Sequence, residues 1–271
     1  MTPQQTAKRL LLRSGLHHLF PYEIGVCKDA INDLERLAKE HIELGECIEV
    51  YVAHKFTPTE PAAGLYLSRR ITEVIPSART PLSACLLSSI SASMWKEYGA
   101  ILYSKEKESL FEDMLHPREE ALQTFLNASE YTRLAVGMVE SSQALMLATR
   151  ALGWAEICKY SCKEKSSAYF HTAHARAAAC RYDLAVLQNY PKEDLKECAK
   201  EWRVTFRNFP FSLPGPRVCV IAATQLSAIG HILGDRNLQK FSIDIFKSAC
   251  NAYPTEMEGA LFEKMNEYSS L

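Results

Sequence analysis

Between Arg217 and Pro254 the chain reads RVCVIAATQLSAIGHILGDRNLQKFSIDIFKSACNAYP, and its apolar positions recur with the period of an α-helix. In the second part Phe241, Ile245, Phe246, Ala249 and Tyr253 fall on one face, with Asp244, Lys247 and Asn251 on the other. In the first part Val218, Ile221, Ala222, Leu226, Ile229 and Leu233 form a broader stripe with small residues between, as in a helix buried on more than one side. Gly234-Asp235 supplies a C-terminal stop and a short polar turn, and Pro254 ends the second helix or opens another. The stretch is therefore a helical hairpin.

The rest of the chain has the same texture. Thr2-Pro3, Thr80-Pro81 and, more loosely, Thr59-Glu60-Pro61 place a capping hydroxyl before a proline that a first helical turn accepts. Tyr190-Pro191 and Tyr253-Pro254 also put proline at a helix start. Only Ile48 to Ala53 has a β-branched flavour, and Glu46 and Glu49 beside it suit a helix equally. The spacing predicts helices at 3–19, 22–44, 46–56, 60–75, 81–104, 106–115, 118–128, 130–151, 154–189, 191–208, 217–233, 237–252 and 255–269, with a break in the long pattern near Lys163 to Ser167. The expected fold is all-α, an array of antiparallel hairpins in an α-solenoid or an irregular bundle. Two small-residue seams, Ala173 to Ala179 and Ser83 to Ser93, suit close helix approach. Composition shifts at 57–60 and 209–216 suggest an N-terminal segment 1–56, a central array 60–208 and a C-terminal hairpin with a last helix, 217–271, or one domain containing all three.

The order Leu226-Ser227, Gly234-Asp235, Ser242, Phe246, Ala249, Pro254 resembles one unit of the tetratricopeptide repeat, a helix pair of about 34 residues. The spacing from Ser242 to Pro254 follows that family, while Ala223 and Gly230 stand where it usually places large aromatics. The resemblance covers 217–254 and is weak elsewhere. It implies a module that holds a segment of another protein in a groove or on a rim.

Lys plus Arg number 31 against 32 Asp plus Glu, so no global field draws nucleic acid or a membrane surface. Nine cysteines scattered among apolar neighbours are the usage of a reducing compartment. No apolar run reaches the roughly 18 residues expected of a spanning helix, and Leu10 to Leu12 is interrupted by Arg13 before it resembles a secretory signal. Residues 1–22 hold Lys8, Arg9 and Arg13 with no acid, which fits a mitochondrial presequence as well as a plain first helix. A cytoplasmic location is expected, with the mitochondrial matrix as the alternative. Charge is uneven: acids dominate from Glu23 to Glu49, bases from Lys159 to Arg217. This describes either solvated helix faces or head-to-tail pairing of an acidic N-terminal end with a basic C-terminal half, in a homo-oligomer or with a partner.

No stretch carries a catalytic signature. Cys158, Cys162, His171, His174 and Cys180 form the densest group of metal-ligand types, but their spacing matches no zinc pattern, and no metal or other cofactor is expected. Asp113-x-x-His116 is a single acid–histidine pair where a helical di-metal site needs several Glu-x-x-His motifs, and phosphate loops and nucleophile elbows are missing. Trp202, Arg203, Phe206, Arg207, Phe209 and Phe211 leave a helix and enter a proline-rich loop, and these residue types dominate interface hot spots. They are the candidate partner-binding residues, unless the loop folds its aromatics back over the core. Two functions follow: a non-catalytic protein–protein interaction module, adaptor or assembly subunit, or an all-α enzyme or small-ligand-binding bundle whose pocket is built from His171, His174, Arg176 and Tyr182.

Overall fold

The computed structural model describes residues 2–19, 24–46, 48–49, 61–104, 117–162, 168–209, 213–257 and 259. Among these the chain is mainly helical, with short turns between helices, and has no strand. The helices expected at 106–115, most of 46–56 and 255–269, the 57–60 boundary, the Lys163–Ser167 break, Asp113, His116 and Phe211 lie outside the described residues. Two compact units divide at Trp154/Ala155.

In the first unit α1 (Pro3–Ser14) starts on a capping box, in which Thr2 Oγ1 accepts from the Gln5 amide at 3.2 Å and the Gln5 side chain accepts from the Thr2 amide at 2.9 Å. It ends at Gly15, whose φ of 70° reverses the chain. Its apolar face, Ala7, Leu10 and Leu11, is buried, and α1 packs on α2 (Ile24–Glu40) and α4 (Pro81–Ser104). The acid-poor N-terminus is thus core-forming here. The Arg150 guanidinium donates to the Ser14 carbonyl, placing a cation where the helix dipole is negative.

Between α3 (Pro61–Val74) and α4 the serine seam becomes a hydroxyl cluster: Ser68 Oγ lies 2.6 Å and Thr72 Oγ1 2.9 Å from Ser91 Oγ. Small hydroxyls let the helices approach, and Ser68, Thr72 and Ser91 find partners in one another. Asp33 of α2 is buried; it accepts from Ser83 Oγ at 2.5 Å and the Arg79 amide at 2.7 Å, and pairs with Arg36 at 2.6 Å. It reinforces the start of α4, where Thr80 caps Ser83 as its position before Pro81 predicts. Helix α5 (Pro117–Val136) packs on α4. A turn at Gly137–Glu140 leads to α6 (Ser141–Ser161), in which the two units divide.

The expected breaks near 129 and 152 are absent. Ser129 is helical and donates at 2.7 Å to the Ala151 carbonyl, so its hydroxyl joins two helices instead of ending one. Gly153 is an interior helical position whose missing Cβ faces open space.

The second unit contains α7 (Ala168–Leu187), α8 (Lys192–Thr205), α9 (Pro216–Leu233) and α10 (Arg236–Ala252). Consecutive helices pack on one another, and α9 also touches α7. The alanine seam of α7 is buried against a core that includes Leu195, Trp202, Leu226, Ile229, Leu238 and Ile245. The turn between α9 and α10 is Gly234 (φ 68°) and Asp235, whose carboxylate caps the Asn237 and Leu238 amides at 2.9 and 3.2 Å. Among the described residues α9 is long and apolar enough to cross a membrane by length and composition only. Here Cys219, Val220, Ala222, Leu226 and Ile229 place its apolar face in the core of the unit.

Candidate functional site

The polar chemistry of the second unit gathers where α6, α7 and α8 meet. Glu201, on α8, falls between Cys198 and Thr205 at helical spacing and is therefore carried inward, to 6% exposure. One carboxylate oxygen takes Lys159 Nζ at 2.7 Å, and the other takes His174 Nδ1. Lys159 also pairs with Glu156 at 2.8 Å, and Glu156 with Arg181 at 2.7 Å. Phe170 packs edge-on against the His174 ring at 4.4 Å. Burial by itself would raise the Glu201 pKa; the hydrogen bonds from His174 and Lys159, with the Lys159 charge, more than offset it and hold the carboxyl below its ordinary range. Burial likewise opposes the Lys159 charge, but its two glutamates raise its pKa above the usual lysine value.

One turn away lies a cleft of about 180 Å³ lined by His171, Thr172 and Ala175 of α7, Thr205 and Asn208 at the end of α8, and Leu213, Pro214 and Val218. It adjoins the ion-pair network through both helices. His171 Nδ1 is 3.3 Å from the Val204 carbonyl, and Thr205 Oγ1 donates to the Glu201 carbonyl at 3.2 Å. Its lining sets the apolar carbons of Ala175, Leu213, Pro214 and Val218 beside an imidazole, two hydroxyls and an amide. A second cleft of about 250 Å³, in the first unit, is lined by the Arg69–Glu120 ion pair (2.8 Å), the Gln123–Asn127 amide pair (2.8 Å), Thr72, Glu73, Trp95 and Thr124.

The residues singled out in the sequence separate on folding. Trp202 and Phe206 are 1% and 3% exposed, so they are core side chains and not surface ones. The Trp202 indole donates to Gln225 at 3.0 Å, and Phe206 and Phe209 both pack edge-on against Phe241. Because α8 must cover α9, the apolar face that resembled a hot spot is turned inward. Arg203 and Arg207 are exposed. Of the pocket residues, His171 lines the cleft and His174 belongs to the network. Tyr182 packs on the core, and Arg176 is half-buried, its pKa lowered by burial and by the Arg217 charge. Neither of these two lines the cleft.

Glu201, Lys159 and Gln225 carry the local architecture and were not singled out. The signal for Glu201 was its place among Leu195, Cys198, Ala199, Trp202 and Thr205, where a charge on an apolar face demands a partner. Among the described residues no group of three or more His, Cys, Asp and Glu converges as metal ligands. Burial pushes the Cys158 thiol up to about 12, which disfavours the thiolate that binds metals. No family model matches the chain, and no curated protein or solved structure matches it either.

Proposed function

We propose that the chain is a non-catalytic protein–protein interaction module, an adaptor or subunit of a larger assembly, whose second unit accepts a partner side chain in the cleft between α7, α8 and the start of α9. The size of that cleft carries the proposal. At about 180 Å³ it falls below the roughly 300–1,000 Å³ of small-molecule sites, yet its mixed apolar and polar lining suits one aliphatic side chain of a docked segment. The neighbouring acid and bases fit the same function. Glu201 is shared by Lys159 and His174, and such a pair ties helices together more readily than it moves protons.

The tetratricopeptide-like character of 217–254 supports a module of this kind, with one qualification from geometry. At Gly230 a Cβ would lie 2.8 Å from Gln239 Cγ and 3.0 Å from the Asp235 carbonyl oxygen, so this hairpin closes through a glycine where the repeat carries a bulky residue. Its helices, of 18 and 17 residues, by themselves fill the repeat's period of about 34. Cysteine usage favours the cytoplasm as the site of action.

A small-ligand site is the second reading, favoured by His171 in the cleft wall. Two measurements separate them. Selection of a random displayed peptide library on the full chain is expected to enrich peptides with an aliphatic anchor, and Thr172→Trp, which fills the cleft from its exposed rim, should abolish their binding. A native mass spectrum of the purified chain showing only monomer with a stoichiometric small molecule would overturn the interaction module in favour of the ligand site.

A further inference from the structure

We propose that the chain associates with itself head to tail, the acidic surface around Ile42 of one copy docking on the basic face of α10 of the next. Counted along the sequence, residues 1–154 hold more Asp and Glu than Lys and Arg, and residues 155–271 the reverse. Much of this charge is neutralised within each unit. The bases that make 159–217 look positive are a case in point: Lys159, Arg181, Lys196 and Lys200 all pair with nearby glutamates. Lys192, Arg203 and Arg207 of that stretch stay exposed, but the complementarity that also carries an exposed isoleucine lies outside it.

It resides on two other surfaces. In the helical turn after α2, Ile42 is 74% exposed, and Glu46 and Glu49, four and seven residues on, are exposed and make no ion pair with another described residue. On α10, Lys240, Ile243 and Lys247 recur at helical spacing and are exposed, Ile243 at 51%, and neither lysine has an ion-pair partner among the described residues. Arg236 extends this stripe by one turn. One opposing charge borders each surface, Lys39 on the first and Asp244 on the second.

A single exposed isoleucine is ordinary. Here each stands beside two charges of one sign with no ion-pair partner among the described residues, and the signs are opposite. Over roughly 10 Å of helix, antiparallel docking with Ile42 against Ile243 sets Glu46 opposite Lys240 and Glu49 opposite Arg236, with Lys247 flanking the contact. A second copy is the occupant because the same chain carries both halves of the match. The two surfaces differ, so the contact is heterologous, leaves a free surface at each end, and grows beyond a dimer unless it closes into a ring. The charges contribute chiefly to steering and orientation, and salt screens them over about 10 Å at 0.1 M.

Self-association of this kind presupposes the assembly-subunit function proposed above. Sedimentation velocity of the full chain over a concentration series is expected to show mass increasing with concentration at low salt, with a dissociation constant that rises about tenfold or more in moderate salt. The double variants Arg236→Glu/Lys240→Glu and Glu46→Lys/Glu49→Lys should each be folded monomers. Mixed in equal amounts they should associate again, since each retains the surface the other needs. Ile243→Ser alone should weaken association without changing its salt dependence. A wild-type chain that is monomeric throughout, or oligomers indifferent to either charge reversal, overturns the proposal. A monomer that still binds selected peptides through the cleft loses only the second copy as partner and retains the interaction function.

Discussion

Glu201 illustrates what a single buried charge does in this fold. Its two oxygens tie α8 to Lys159 of α6 and His174 of α7, and it is itself nearly inaccessible. Glu201→Gln removes the charge that justifies burying a lysine and an imidazole beside it. Breaking such a pair costs about 3–5 kcal/mol, and the lower end is expected because Lys159 retains Glu156. Urea unfolding followed by circular dichroism checks this, and a change below about 0.5 kcal/mol, typical of exposed pairs, would show the network to be unimportant. Glycines give a second residue-scale contrast. Gly153→Ala, in the helix and open to solvent, should stabilise by roughly 0.5–1 kcal/mol. Gly230→Ala meets the backbone of the next helix and should destabilise by about 1–3 kcal/mol despite the same gain in helix propensity. Equal effects at both sites in thermal melts would contradict the close approach of α9 and α10.

At the scale of elements, the hairpin of α9 and α10 was legible because its amphipathic period, its glycine and its capping aspartate agree. Losing the Asp235 cap should cost about 1 kcal/mol in Asp235→Ala, whereas Asp235→Asn should cost almost nothing. Denaturation midpoints test the pair, and equal losses would mean that charge, not capping, matters there. The boundaries of α5 and α6 were not legible. Ser129 and Gly153 look like breaks because serine and glycine favour turns in isolation, while in the fold the hydroxyl reaches Ala151 and the glycine is simply exposed. Pairing with a distant segment, which no local pattern carries, decided the first, while at Gly153 the helix runs on through an exposed glycine. The same limit applies to the candidate site. His171 was found from its type, but the inward turn of Trp202 depends on Gln225 waiting 23 residues later. Helix α1 shows the converse, a basic segment whose other face is core. Leu10→Ala should cost about 2–5 kcal/mol in equilibrium unfolding, and a negligible cost would favour a detachable leader as the description of that helix.

At the scale of the whole molecule, the described residues of each unit include one buried carboxylate, Asp33 in the first and Glu201 in the second. Burial works to raise both pKa values. For Asp33 the hydrogen bonds from Ser83, Arg36 and the Arg79 amide outweigh it, and for Glu201 those from His174 and Lys159 do, so both groups titrate below their ordinary ranges. The sign of the linkage follows. A carboxyl with a depressed folded pKa binds its proton more readily in the unfolded chain, so its stabilisation is complete above the unfolded value, roughly pH 4 for both residue types. Below that pH the contribution declines until the folded groups themselves protonate. Urea midpoints measured from pH 7 downward should therefore hold a plateau with respect to these two groups and then fall steeply below about pH 4. The Asp33→Asn/Glu201→Gln variant should begin from a lower plateau and fall less steeply. An unchanged slope in that variant would place the acid sensitivity in other carboxylates and remove these two from the foundations of their units.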